Sequence, residues 1–356
     1  MNKITTKLSF ANSKLKDYCA RNIKRLRPQV KLVVVVYDAC LPESLMRQVV
    51  NGVKASGCQV KLIKAPRGEK NKTMARATQL AEKFLRAKVD RGSLVLAVGG
   101  GVTSDVAGFS AAMTLRGIRW ACLPTTLLAM VDAGIGGKTG VNTDGAKNMF
   151  GAFHFPEFIH CDFRWLKSLP LREFNSGLGE LQKTALLAGG KLLSLCLAAT
   201  PSQLHRPSPQ LRQAVILAAK YKAKLVASDP QESNSRKVLN FGHTFGHPLE
   251  MDSDSRLSHG EAVSYGIRCA IAHSADLGLC GDNLVQLNSE LQRRLGLDYL
   301  SEIKIPSAST LRRGLAKDKK SIDGKLTLVL LEKAGRPQLC AGYSAAEVAK
   351  IIIANQ

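Results

Sequence analysis

The stretch SLVLAVGGGVTSD (93–105) decides the fold. An apolar run that ends in three glycines and passes into a helical period reads as a buried strand turning into a helix. Its surroundings repeat that alternation. KLVVVVYD (31–38) is a continuous apolar run closed by an acid, and 59–65 and WACLPTT (120–126) are further strand candidates. Helical patterns occupy about 42–55, 71–89 and 104–115 between them. Val-rich strands alternating with helices imply a doubly wound, mostly parallel sheet. From about residue 170 the character changes: 172–199, 209–228, 237–251, 259–278 and 282–296 are helical in period, with a Pro- and Ser-rich loop at 200–209. A strand-like LTLVLL (326–331) follows a turn signal at Asp323-Gly324. The expected architecture is an α/β, Rossmann-like N-terminal domain over 1–165 and a mainly α-helical C-terminal domain over 166–356.

Bulk properties narrow the function classes. The chain has 356 residues, enough for two domains with real cores. Aromatics are only 5%, which argues against a base-stacking surface. The net charge of +23 is spread along the chain and forms no block, so nucleic acid is not the expected partner. Nine cysteines occur singly, without a CxxC, as in a reduced cytoplasmic protein. No run approaches the ~18 apolar residues of a membrane span, and Met1–Phe10 has no signal-like core.

Three groups of residues carry chemistry. The glycine run would let backbone N–H groups approach a pyrophosphate at a helix N-terminus. Its spacing is GGGxxxD and not GxGxxG, so a tight βα turn explains it equally well. Asp38, at the end of the first long strand, is placed to accept from ribose hydroxyls. Next, His243, His247 and His259 fall within seventeen residues of a chain that has only seven histidines. Two imidazoles and one carboxylate make an open zinc site, and Glu180 has Lys183 one turn on. A shared helix face alone would make both His243 and His247 ligands. Last come cations beside glycines or apolar turns: Lys138, Lys147 with Asn148, Lys222, Arg236 and the Lys319-Lys320 pair.

Taken in order, these segments resemble the 3-dehydroquinate synthases of the sugar-phosphate cyclase family. The resemblance runs from about 31 to 331 and rests on Gly68-Glu69-x-x-Lys72, GGGVTSDVAGF (99–109), Arg116-Gly117, PTTLLAMVDAGIGGKTGVN (124–142), Gly145-x-Lys147-Asn148, GLGELQKTAL (177–186), Lys222, Asp229, LNFGHTFGHPLE (239–250), HGEAV (259–263) and Asp318-Lys-Lys320. It implies a metal, Zn2+ or Co2+, on Glu180, His243 and His259, with His247 facing substrate. It places NAD against Asp38, Glu69, Lys72, Gly100, Gly101, Val102, Asp105, Thr125, Thr126 and Ser168, with Asp132, Lys138 and Lys147 assigned to cofactor as well as substrate. Substrate groups would meet Asn148, Lys183, Lys222, Arg236, Asn240 and one lysine of the 319–320 pair, here taken as Lys320. Arg116 matches an arginine inserted into a neighbouring subunit, which implies a homodimer.

The implied reaction is the shikimate-pathway conversion of 3-deoxy-D-arabino-heptulosonate 7-phosphate to 3-dehydroquinate and phosphate. It runs through oxidation at C5 by bound NAD+, β-elimination of phosphate, return of the same hydride and ring closure. A substrate with a carboxylate and a phosphate suits the Lys, Arg and Asn cluster. Three segments depart from the family pattern: Ala133-Gly134 for Ser-Ser, Pro230-Gln231-Glu232 for Glu-Arg-Glu, and Gly179 for Ala. The competing expectations are a cyclase making a valiolone, an inosose or an amino analogue, and a metal-dependent polyol dehydrogenase.

Overall fold

Val33 to Val36 and the whole run from Leu94 to Val98 are fully buried. Strands with no exposed face must lie inside a sheet covered on both sides. The computed structural model describes residues 6–65, 68–143, 146–250, 257–316 and 325–356. It divides into two units, Met1–Leu169 and Pro170–Gln356.

The first unit contains strands β1 (Lys7–Ala11), β2 (Leu32–Tyr37), β3 (Gln59–Lys64), β4 (Leu94–Gly99), β5 (Arg119–Pro124), β6 (Lys138–Thr143), β7 (Ala146–Phe153) and β8 (Phe158–Asp162). Its helices are α1 (Leu15–Lys24), α2 (Glu43–Ala55), α3 (Met74–Arg86) and α4 (Gly101–Met113). Six strands form a parallel sheet in the order β1-β8-β5-β4-β2-β3, and β6 and β7 form a separate antiparallel ribbon. After β2 the chain crosses through α2 to β3 on one side; after β4 it crosses through α4 to β5 on the other. The neighbouring C-terminal ends of β2 and β4 are therefore a topological switch point, where open α/β sheets bind ligands. Asp38 and Gly99–Gly101 stand at that point, joined by the Asp38 N–H donating to Val98 O at 3.1 Å.

The helix read over 104–115 begins earlier, at Gly101, and gives way at Thr114–Arg116, where Leu115 and Arg116 have φ of +51° and +64°. The alternation of strands and helices also left out β1, β8 and the ribbon.

The second unit contains α5 (Leu171–Ala188), α6 (Gly190–Ala198), α7 (Pro201–Leu204), α8 (Pro209–Ser228), α9 (His243–Glu250), α10 (His259–Asp276), α11 (Asp282–Arg294), α12 (Ala308–Ala316) and α13 (Ala345–Ala354). The expected helix over 172–199 is two, broken where Gly189 and Gly190 adopt φ of +59° and +48°. The pattern over 237–251 divides into a 3-10 turn, Ser235–Asn240, and α9. LTLVLL is the core of strand β9 (Leu326–Lys333), which pairs with an unforeseen β10 (Arg336–Tyr343) across a two-residue turn. The Asp323-Gly324 turn lies outside the described residues.

Candidate active site

At the switch point the glycines are needed for space. A Cβ on Gly99 would lie 2.5 Å from the Thr103 side chain, and one on Gly100 would lie 2.9 Å from Thr126 Cγ2. The backbone of the β4–α4 turn is thus bare, and α4 starts there with its first N–H groups available to an anion. Thr125 and Thr126 follow β5, the next strand over, with the Thr125 N–H donating to Gly99 O at 3.0 Å. Val102 is half-buried in the first turn of α4, and Asp105 lies one turn on.

Lys72, 5% exposed, reaches Asp105 Oδ2 and Asn148 Oδ1, both at 2.5 Å. Asn142 completes this network. Its side chain donates to Glu69 Oε1 at 2.7 Å and accepts from the Asn148 N–H at 2.8 Å, and its own N–H donates to Lys72 O at 2.8 Å. The structure thus brings Glu69, Lys72, Asp105 and Asn148 together. Lys138 starts β6 on an exposed side chain, Lys147 is half-buried on β7, and Asp132 lies in the π-helical turn Ala129–Ala133. Ser168 is exposed, its hydroxyl donating to Trp165 O at 3.3 Å. Arg116 is exposed past the end of α4.

In the second unit, three elements converge on one carboxylate. Glu180 is fully buried on α5. His243 opens α9 and His259 opens α10, and their Nε2 atoms lie 3.4 and 3.2 Å from Glu180 Oε1. Local backbone contact makes this possible. The Gly260 N–H donates to Ser176 Oγ at 3.1 Å, and a Cβ on Gly179 would sit 1.9 Å from Gly260 O. Helices α5 and α10 therefore touch backbone to backbone. The start of α10 is further held by the Ser258 N–H, which donates to Glu261 Oε2 at 2.7 Å, while Tyr299 OH donates to Glu261 Oε1.

Among the described residues, the donor atoms of Glu180, His243 and His259 all lie within 4.8 Å of one another. His247, one turn along α9, sets its ring 5.4 Å from that of His243 and 6.3 Å from that of His259, and is not part of this donor set. Glu180 Oε2 is buried and paired with the Lys183 ammonium. Two imidazole nitrogens and a carboxylate at this spacing fit Zn2+ or Co2+ and leave a coordination position for another ligand.

The electrostatics follow from burial and neighbours. Burial alone would raise the Glu180 carboxyl, but Lys183 and the two imidazoles outweigh it and hold the group well below the usual carboxylate range. Burial and then Lys183 push His243 down to about 4, so the ring is neutral and its lone pair available. Burial would lower His259 too, yet Glu250 and Glu180 raise it to about 10.

Lys222, on α8, is 7% exposed, and Arg236, in the 3-10 turn, is 1% exposed. Arg236 Nη1 donates to Pro230 O at 2.7 Å, and Asn240 Nδ2 donates to Glu232 Oε1 at 2.9 Å. Asp229 anchors the loop between α8 and this turn by accepting from the N–H groups of Ser233, Asn234 and Arg236. Lys319, Lys320, Asp318 and Gly145 lie outside the described residues.

The family model for the 3-dehydroquinate synthase N-terminal region matches residues 62–176, and that for the C-terminal region matches 177–321. The chain belongs to the 3-dehydroquinate synthase family. A 3-dehydroquinate synthase of Mesorhizobium japonicum is 35% identical over 350 residues, covering 96% of this chain and 92% of its own. The 2-epi-5-epi-valiolone synthase ValA of Streptomyces hygroscopicus, solved with NAD+ and Zn2+ bound, superimposes with a TM-score of 0.87 at 23% identity, over 100% of this chain and 98% of its own. A 2-deoxy-scyllo-inosose synthase, solved with carbaglucose-6-phosphate, NAD+ and Co2+, gives 0.84 at 24% identity, over 97% and 95%. These likenesses establish a dehydroquinate synthase-like fold.

The sequence reading missed Asn142, Glu250, Glu261, Tyr299 and Ser176, which hold the site residues in place. Glu261 had a local signal, since Ser258-x-x-Glu261 is a capping box. Asn142 and Glu250 had none, because their partners are set by tertiary contact.

Proposed function

We propose that this chain is a 3-dehydroquinate synthase, a carbon–oxygen lyase that converts 3-deoxy-D-arabino-heptulosonate 7-phosphate to 3-dehydroquinate and phosphate with catalytic NAD and a divalent metal. The convergence of Glu180, His243 and His259, in a chain of this family, carries the reading. Two neighbours of the same fold are solved with NAD+ and with Zn2+ or Co2+, and the donor set here suits either ion. When bound, the ion acidifies a substrate hydroxyl and the nicotinamide takes and returns one hydride.

The chain's own residues bind, orient and move protons. Asp38 would accept from ribose hydroxyls, and the bare β4–α4 turn would donate N–H groups to the pyrophosphate. Glu69, Lys72, Asp105, Thr125, Thr126 and Ser168 would complete the NAD site. Lys138, Lys147, Lys183, Lys222, Arg236 and Lys320 would meet the carboxylate and phosphate, and Asn148 and Asn240 the hydroxyls. Low exposure at Lys183, Lys222 and Arg236 strengthens such contacts, because water competes less for the anion. His247 would hold a proton at a hydroxyl or at the leaving phosphate, which a neutral imidazole can both donate and accept. With cations in excess over carboxylates, the departing phosphate can serve as its own base. Positioning and electrostatics then supply most of the rate.

The oligomer is proposed to be a homodimer. Met113 at the end of α4, Leu115 just past it, and Met149, Phe150 and Phe153 on β7 are large apolar side chains left exposed in the first unit, and Arg116 follows Leu115 in the sequence. A cytoplasmic location suits nine cysteines that form no disulfide. Among the described residues, no helix is long and apolar enough to cross a membrane.

The test is to supply the heptulosonate phosphate, one divalent ion and trace NAD. Phosphate release many-fold above the NAD added, together with 3-dehydroquinate by NMR, is the expected result. A different carbocycle would transfer the chain to another sugar-phosphate cyclase, a possibility that Ala133-Gly134 keeps in view. Stoichiometric NADH with no phosphate would mean a polyol dehydrogenase. His247→Ala should keep the metal and lose about 10²–10⁴-fold in kcat; loss of metal would make His247 a ligand.

A further inference from the structure

His243 and His259 turn the same nitrogen inward. His243 Nδ1 lies 3.1 Å from Phe241 O, and His259 Nδ1 lies 3.0 Å from Glu250 Oε2. A carbonyl and an ionised carboxylate can only accept, so in both rings Nδ1 carries the hydrogen. Nε2 of each ring is the nitrogen turned to Glu180 Oε1, and with an ion bound there each would offer its lone pair to it. The two outer partners differ in kind. Phe241 O is backbone, placed by the turn into α9, and the His243 side chain is 11% exposed. The His259 side chain is 29% exposed at the first residue of α10, with fewer walls to hold it. Glu250, the last residue of α9 and 12% exposed, reaches across to it.

We propose that Glu250 is the orienting carboxylate of the metal site, fixing the tautomer and rotation of the His259 ring and strengthening Nε2 as a donor. The inference rests on the metal reading above. It makes the α9–α10 junction part of the site: α9 supplies a ligand at its first residue and the holder of the second ligand at its last. Outer-shell carboxylates of this kind commonly carry 10–100-fold of metal affinity. Glu250 is a positioning residue, since the geometry gives it His259 and not the ion.

The experiment strips the full chain of metal and titrates Zn2+ against a chromophoric chelator for wild type, Glu250→Gln, Glu250→Ala and His259→Ala. Wild type should bind one ion per chain. Glu250→Gln should still bind one, roughly 10–100-fold more weakly and with faster loss to chelator, and Glu250→Ala should be weaker again. The melting temperature of the metal-free Glu250→Gln chain should match that of metal-free wild type, while the rise on adding Zn2+ shrinks. Wild-type affinity in both Glu250 variants overturns the proposal, whatever happens to their stability. So does an equal loss of metal-free stability in Glu250→Gln with affinity intact, which marks a purely structural residue. A wild-type chain that binds no stoichiometric ion, or a His259→Ala chain that binds it as tightly, overturns the metal reading itself.

Discussion

Both units contain a buried lysine that meets a carboxylate, and the pairs Lys72–Asp105 and Lys183–Glu180 are built in opposite ways. In the first unit Lys72 and Asp105 come from separate elements, and the same ammonium also holds the Asn148 amide. In the second unit Glu180 and Lys183 share one helix at i, i+3, and the other carboxylate oxygen faces two imidazoles. The first arrangement is a tie: it spends its polar atoms joining the turn after Gly68, helix α4 and the β7 ribbon. The second is a donor set gathered around an acid whose Oε2 meets the Lys183 ammonium and whose Oε1 is left to the imidazoles. A buried pair that closes on itself organises the chain, and one that leaves acceptors facing a common point is built for a cation.

The sharpest way to break the comparison is Glu180→Gln. Without the anionic ligand, metal content should fall from one to near zero, and activity by about a thousandfold or more, since the metal is worth several kcal/mol. Metal analysis alongside circular dichroism checks it; a folded variant with full metal would reduce Glu180 to a lysine partner. Lys72→Met should do the converse. It leaves Asp105 without this cation, at a cost of about 3–5 kcal/mol in urea unfolding, and weakens NAD binding while metal affinity stays at wild type. If metal affinity fell with it, the two clusters would not be separate devices.

Gly179→Ala sharpens the second half. The new methyl meets the Gly260 backbone, so α5 and α10 must separate, at roughly 1–3 kcal/mol of stability. Zinc affinity should fall with it, because Glu180 and His259 ride on those helices. Unchanged affinity would show that the ligands adjust independently of the crossing.

The smallest effect on the metal site is expected at Asp229, a buried acid held chiefly by backbone N–H groups. Burial would raise its carboxyl, but the N–H groups of Asn234, Arg236 and Ser233 outweigh that and lower it to about 2. A carboxyl lowered on folding stabilises the native state above its unfolded pKa of about 3.9, and that contribution is lost as pH falls toward 2. Asp229→Ala should cost about 2 kcal/mol near pH 6, and the gap from wild type should narrow between pH 4 and 2. A gap of constant size across that window would contradict the assignment.

What was legible in the sequence follows from how each element is buried. β2, β4 and β5 announce themselves because both faces are covered, which forces unbroken apolar runs. β1 and β8 are five residues each and include Lys7, Ser9, His160 and Asp162, so no pattern marks them. β10 begins Arg336-Pro337 and is half exposed, and it is defined by its pairing with β9. The break between α5 and α6 rests on two glycines whose positive φ a periodicity count cannot register. The metal-type residues were visible as a rare concentration of histidines, and the family resemblance separated His247 from the other two. Lys72 meeting Asp105 and Asn148 was not visible, since 33 and 76 residues separate the partners.

The outermost position of β3 has a consequence for the chain's behaviour in solution. An uncovered strand edge is a template on which another molecule can add a strand, and Leu62 there is 50% exposed. Lys61 and Lys64 flank that leucine on the same strand. Lys31, Lys88 and Arg86 line a depression with Lys61, and Arg76 and Lys83 line another with Lys64. A second copy approaching this edge would meet the same cations. Part of the surplus of +23 would therefore act as a guard against aggregation, weakest in concentrated salt, where charge repulsion is screened.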